Sequence, residues 1–145
     1  MKLRPYTRRV FYYETDNMGV VHHSNYLRWF EEARVDVIEQ AGLPFQTVEE
    51  RGLMSPVLSA HCDYIVPMRF GDVFTVKAYI PDFSKLRFDV EYEVFDQKGT
   101  LCVKGSTTHC FIDREFRPVR IKKNYPDIYD IYCALADAGR ELYEC

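Results

Sequence analysis

The sequence predicts an α+β fold in which an antiparallel sheet wraps around one long central helix. Three observations carry this reading. Tyr26, Trp29, Phe30, Ala33, Val37 and Ala41 recur at i, i+3, i+4, i+7, i+11 and i+15, which places them on one face of a helix. Lys85 to Val94 reads K-L-R-F-D-V-E-Y-E-V, the unbroken alternation of a half-buried strand. The remaining strand-like segments are joined mainly by short turns, which favours antiparallel pairing, and a single helix with one apolar face needs a sheet to cover it.

Taken in order, Leu3 to Tyr13 reads as a strand with Val10 and Tyr12 on one face. The long helix spans Ser24 to Ala41, about 27 Å at 1.5 Å per residue. Ser24 is its candidate N-cap. Gly42 suits the left-handed position after the last turn, and Pro44 blocks continuation. Pro44 to Arg51 predicts a short second helix ended by Gly52. Met54 to Val66 and Val73 to Ile80 read as strands, separated by a turn at Gly71-Asp72. Asp96 to Gly99 predicts a hairpin loop leading into a partner strand from Thr100 to Asp113. Gly105 within that strand marks a bulge or a close backbone approach. A terminal helix is expected over about residues 127–143.

With 145 residues, the chain is expected to form one domain over 1–145. The net charge of −3 offers no broad basic field for nucleic acid. The N-terminus M-K-L-R-P-Y does not read as a secretory leader. No stretch approaches the roughly 18 apolar residues of a membrane helix. Of the five cysteines (Cys62, Cys102, Cys110, Cys133 and Cys145), no two form a C-x-x-C pair. Together these features predict reduced thiols and a cytoplasmic protein. Cys62, Cys102 and Cys110 fall in strand-like segments and read as small buried hydrophobes.

The chemistry is expected where the long helix begins. Its first backbone N–H groups lack intrahelical partners, and the helix dipole adds partial positive charge there. Such an end can polarise a carbonyl or hold an oxyanion. Asp16 lies seven residues before His23, and Gly19 allows the intervening loop to turn sharply. A carboxylate and a set of N–H donors can therefore converge on one substrate carbonyl. Two plainer readings stand beside this one: Asp16 capping a turn through its side chain, and His23 only packing. His22 reads as structural or substrate-lining. Adjacent histidines rarely point the same way, so Asp16, His22 and His23 are not read as a metal site.

The string Y-E-T-D-N-M-G-V-V-H-H-S-N-Y-L-R-W-F-E, from Tyr13 to Glu31, resembles the signature of the 4-hydroxybenzoyl-CoA thioesterase family of hot-dog-fold proteins. The branch it most resembles is that of acyl-CoA thioesterases which include the bacterial Tol-Pal-associated enzyme. The likeness extends more loosely over Tyr64-x-x-Pro67-x-x-x-x-Asp72 and Thr108 to Val119, roughly residues 8 to 120 in all. It implies the hot-dog fold and hydrolysis of an acyl-CoA thioester to a free acid and CoA, without a cofactor or metal. It implies Asp16 as catalytic base or nucleophile and the His23 backbone N–H as the group that bonds the thioester carbonyl. Gly19, Val20, His22 and Tyr26 become substrate-lining candidates, and Lys85 and Arg87 candidates for the CoA nucleotide. It further implies a homo-oligomer, a dimer or a tetramer built as a dimer of dimers, with sites at the dimer interface. Glu14, Asn17-Met18 and His22 depart from the usual pattern, which bears on the acyl group accepted more than on the reaction.

Two other functions remain open to the sequence. One is a hot-dog hydratase or dehydratase, which needs an acid/base pair beside the carbon next to the thioester. The other is a non-catalytic acyl-CoA or acyl-carrier binding module.

Overall fold

The structure is a computed structural model, which describes residues 2–83 and 86–143. Strand β1 (Tyr6–Arg9) is followed by a single 3-10 turn at Tyr12–Glu14 and then by helix α1 (Asn25–Gln40). A short helix α2 (Phe45–Glu50) leads into β2 (Val57–Tyr64), β3 (Val73–Tyr79), β4 (Arg87–Phe95) and β5 (Leu101–Cys110). Helices α3 (Ile121–Asn124) and α4 (Pro126–Ala138) follow, and then a 3-10 helix at Gly139–Leu142. The strands form one antiparallel sheet in the order β1-β3-β4-β5-β2, the sheet-around-a-helix architecture expected of a hot-dog fold.

The apolar face of α1 lies on this sheet as the spacing predicts. Trp29 stacks on Phe74 of β3 at 3.8 Å between ring centres, and Phe30 stacks on Tyr92 of β4 at 4.3 Å. All four rings are almost wholly buried. Gly105 is the close approach anticipated from sequence: a Cβ there would lie 2.3 Å from Phe30 Cε2 and 2.7 Å from the His61 carbonyl oxygen. β4 alternates in and out along its length. The hairpin after it is closed by Asp96 Oδ1, which accepts the N–H groups of Lys98 and Thr100, with Gly99 at φ +81°.

Elsewhere the boundaries differ from the sequence reading. The first strand ends at Arg9, and the 3-10 turn breaks its period of two, so Val10 is buried while Tyr12 is exposed. β2 is shorter than expected and is irregular between Val57 and Ser59. The terminal helix is α-helical to Ala138, and a 3-10 helix continues it over Gly139–Leu142, with Gly139 at φ +52° at the junction. Beyond it, the Tyr143 hydroxyl bonds both the N–H and the carbonyl of Ala78 on β3. Cys102 is buried, but Cys62 and Cys110 are only partly so. No helix among the described residues is long and apolar enough to cross a membrane.

Candidate active site

The loop before α1 is held from both sides by one buried carboxylate. Glu14 is 3% exposed. Arg8 donates to both of its oxygens, Nη1 to Oε1 at 3.0 Å and Nη2 to Oε2 at 2.9 Å. Trp29 Nε1 donates to Oε2 at 2.8 Å, and the Phe11 N–H to Oε1 at 2.8 Å. Burial alone would raise the Glu14 pKa, but the Arg8, Trp29 and Phe11 bonds outweigh it and hold the carboxyl below its usual range. The backbone carbonyl of Glu14 accepts from the His22 N–H at 2.8 Å and from Asn25 Nδ2 at 2.7 Å. One residue therefore fixes β1, the loop and the first turn of α1 to one another.

Within this frame, Thr15 and Val21 form a bridge around a tight turn. The Asp16 N–H donates to the Val20 carbonyl, and the Gly19 N–H to the Asp16 carbonyl. Gly19 sits at φ +78°, where an L side chain would be strained. Asp16 Oδ1 accepts the Met18 N–H at 2.8 Å, so the turn-capping role is real. It occupies one carboxylate oxygen.

The helix start differs from the expected cap. Ser24 occupies the N-cap position, but its side chain makes no capping bond. Instead, His22 Nδ1 accepts the Ser24 N–H at 3.2 Å and lies 2.8 Å from Ser24 Oγ. An accepting Nδ1 leaves the proton of a neutral imidazole on Nε2. The His22 carbonyl accepts the Asn25 N–H. Among the described residues, none accepts a hydrogen bond from the His23 N–H.

Asp16, Val20, His23 and Tyr26 line one cleft of about 230 Å³, together with Met18, Val21 and the segment Tyr64–Pro67. His22 stacks on His23 with ring centres 4.2 Å apart and is not among the residues that line the cleft. Tyr26 is buried and packs edge-on against Trp29. Gly19 shapes the turn, and its carbonyl accepts from Arg69 Nη1 at 3.4 Å. Arg87 lies at the far end of the sheet. Tyr64 is level with Val103 and Val94, whereas Arg87 is level with Cys110. Seven positions along β4 separate the two rows, about 24 Å at 3.4 Å per residue. Within one chain, Arg87 therefore does not reach the cleft. Lys85 lies outside the described residues.

Tyr64 was quoted in the sequence only as part of a loose pattern, yet its hydroxyl donates to the His23 carbonyl at 3.2 Å. A contact between residues forty-one positions apart leaves no periodic signal. Glu14 was visible only as a departure from a pattern. Burial pushes the Cys62 and Cys102 thiols up, which leaves them poor nucleophiles. Among the described residues, no group of three or more His, Cys, Asp or Glu side chains is arranged to hold a metal.

Comparison with known proteins agrees with this architecture. Residues 10–135 match the thioesterase-like superfamily. The chain is 33% identical over 124 residues to a Bacillus subtilis protein named "Putative acyl-CoA thioesterase YneP", covering 85% of this chain and 90% of that one. It is 31% identical over 108 residues to the 1,4-dihydroxy-2-naphthoyl-CoA hydrolase of Thermosynechococcus vestitus, covering 74% of each. Among solved structures, a DHNA-CoA thioesterase from Staphylococcus aureus superposes with a TM-score of 0.88 at 33% identity, covering 93% of this chain and 91% of that one. The chain belongs to the thioesterase-like superfamily and has its hot-dog fold.

Proposed function

We propose that the protein hydrolyses an acyl-CoA thioester to a free acid and CoA, with Asp16 as the reacting carboxylate and the His23 N–H as the group that polarises the carbonyl. The observation that carries this reading is the convergence in one cleft of Asp16, His23 and the start of α1, with an uncommitted N–H at His23. A thioester is already an activated acyl group. Polarising its carbonyl and supplying a base or nucleophile are sufficient help.

In the general-base route, Asp16 takes a proton from water as the water oxygen bonds to the carbonyl carbon. The charge that develops on the carbonyl oxygen receives the His23 N–H. The C–S bond then breaks, and the CoA sulfur leaves as thiolate or takes the proton from Asp16. In the nucleophilic route, Asp16 bonds to the carbonyl carbon itself, CoA leaves, and water hydrolyses the mixed anhydride. Either route uses one carboxylate oxygen, and the Met18 bond holds the other in place.

Val20, Val21, Ile65 and Val66 are among the residues that line the cleft. An apolar cavity of about 150 Å³ suffices for benzene, so this cleft suits a compact aryl or short aliphatic acyl group. The relatives named for 1,4-dihydroxy-2-naphthoyl-CoA, and the resemblance to the 4-hydroxybenzoyl-CoA thioesterase family, favour aromatic groups for first testing. We further place the enzyme in the cytoplasm as a single-domain homo-oligomer. Strand β2 supports the oligomer: it is an edge strand exposed on nearly all its residues, and its end at Tyr64 adjoins the cleft. A second copy paired along β2 would cover that edge.

The test is thiol release from aryl, short-chain and long-chain acyl-CoA esters, with an enoyl-CoA included. Release from an aryl or short-chain ester supports the reading. Water addition to the enoyl-CoA without thiol release, or tight binding of every ester with no turnover, would replace it.

A further inference from the structure

Two peptide planes meet at the Cα of His23, and together they carry four polar groups. Three of these are committed. The His22 carbonyl accepts the Asn25 N–H at 2.9 Å. The Ser24 N–H donates to His22 Nδ1 at 3.2 Å, and the His23 carbonyl accepts from the Tyr64 hydroxyl at 3.2 Å. The fourth is the His23 N–H, for which the described residues provide no acceptor. In a trans peptide the N–H points opposite to the carbonyl. The Asn25 bond therefore sets the line along which the His23 N–H points.

The Asn25 and Ser24 bonds are internal to residues 22–25 and move with that segment. Among the described residues, Tyr64 supplies the one hydrogen bond from the sheet to these two planes. The usual anchor of a helix start, a side-chain cap, is missing, because Ser24 makes no capping bond. Tyr64 is itself firmly held. It is the last residue of β2 and pairs with Val103 of β5. The N–H groups of Ile65 and Val66, just beyond it, both donate to the Cys102 carbonyl, at 2.9 and 3.0 Å. The Tyr64 ring lies edge-on to the His23 ring, with centres 6.4 Å apart, and 5.6 Å from the Tyr26 ring.

The hydroxyl has one proton to give. A carbonyl oxygen only accepts, so that proton goes to His23. The Cys62 thiol also hydrogen-bonds the Tyr64 side chain. It lies two residues back, on the same face of β2, and donates to the phenolic oxygen. Burial, and then the Cys62 bond, push the Tyr64 phenol up, so it stays protonated and a donor at neutral pH.

We propose that Tyr64 is a positioning residue for the reaction at Asp16: by holding the His23 carbonyl, its hydroxyl keeps the His23 N–H aimed at the thioester oxygen. This rests on the assignment of that N–H as the carbonyl-polarising group. Tyr64 moves no proton and touches no reacting atom. A donor stabilises the developing charge best when it needs no reorganisation at the moment of reaction, and a misaimed donor weakens steeply with angle. Without the Tyr64 hydroxyl, residues 22–25 keep their two internal bonds and rock as a unit. The helix start survives, and its aim is lost.

Tyr64→Phe tests this, because it removes the hydroxyl and keeps the ring against His23 and Tyr26. In thiol release it is expected to lower kcat about tenfold, with KM within about twofold and the unfolding midpoint unchanged. The pH profile of kcat keeps its shape, since no proton-transfer group is lost. The direct readout is the infrared carbonyl stretch of benzoyl-CoA, isotope-labelled at its carbonyl carbon and bound to Asp16→Asn protein, where turnover is slow. The His23 N–H lowers that stretch relative to the free ester. Adding Tyr64→Phe moves it back toward the free value while affinity holds. A purely structural role would lower the unfolding midpoint and leave the stretch unmoved. An unmoved stretch, or a Tyr64→Phe enzyme with wild-type kcat, would overturn the proposal and leave the Asp16 and His23 assignments standing. Benzoyl-CoA that stays unbound or unshifted with Asp16→Asn alone would overturn both.

Discussion

Glu14 shows how much of the site depends on a residue that does no chemistry. Its carboxylate accepts four hydrogen bonds from Arg8, Trp29 and Phe11, and its carbonyl two more from His22 and Asn25. Glu14→Ala leaves Arg8 paired only with Glu32 and leaves the Trp29 Nε1–H and the Phe11 N–H without their acceptor, and we expect a loss of about 2–4 kcal/mol in denaturant unfolding. Glu14→Gln keeps the shape but not the charge and should cost less, while lowering kcat as the Asp16 turn shifts. His109 predicts the pH response. Its folded pKa, about 4, lies below the ordinary value near 6.5. Between these pH values the unfolded chain binds the proton and the folded chain does not, so stability falls as pH drops through this window. The expected loss approaches about 3 kcal/mol by pH 4, from 1.36 kcal/mol per unit. Unfolding curves for wild type and His109→Gln over this range check it: the variant should lack this part of the slope. Neither role was legible in the sequence. Glu14 pairs six residues back and fifteen residues on, and His109 is held neutral by burial and then by the charge of Arg34 on α1, so neither contact carries a period.

At the level of elements, the sequence was most informative where one face is buried. The stripe on α1 and the alternation of β4 were readable because burial imposes a period on residue type. Gly105 was readable for a related reason: a strand glycine without a turn needs a neighbour, and Phe30 is that neighbour. Gly105→Ala forces Phe30 or the β2 backbone to move, and we expect destabilisation of about 2–3 kcal/mol in thermal or denaturant unfolding. The element ends were less readable. Ser24 holds the N-cap position without a side-chain capping bond, because its Oγ lies against His22 Nδ1, which also accepts the Ser24 N–H, a local choice that residue preference alone does not decide. β2 was recognised as a strand, but its exposure on nearly every residue followed only from its place at the sheet edge.

For the whole molecule, that edge is the basis for the oligomer. An exposed strand paired on one side only, bearing Val57, Leu58 and Tyr64, is a template for pairing on the other. A closed two-fold arrangement would use it once on each copy. Ala60→Pro removes a ladder N–H from β2 and should shift the mass measured at micromolar concentration toward the monomer; a wild-type protein already monomeric there would contradict the assembly. Of the site as a whole, the nearness of Asp16 and His23 to one cleft was legible from the motif, whereas the cleft wall at Tyr64–Pro67 awaited the fold. The central claim is that Asp16 carries the reaction. The most direct measurement is kcat for thiol release by wild type and Asp16→Asn on the best acyl-CoA substrate, with matched unfolding curves. A fall of about a hundredfold or more with unchanged stability is the expected result; near-full activity in the folded Asp16→Asn protein would contradict it.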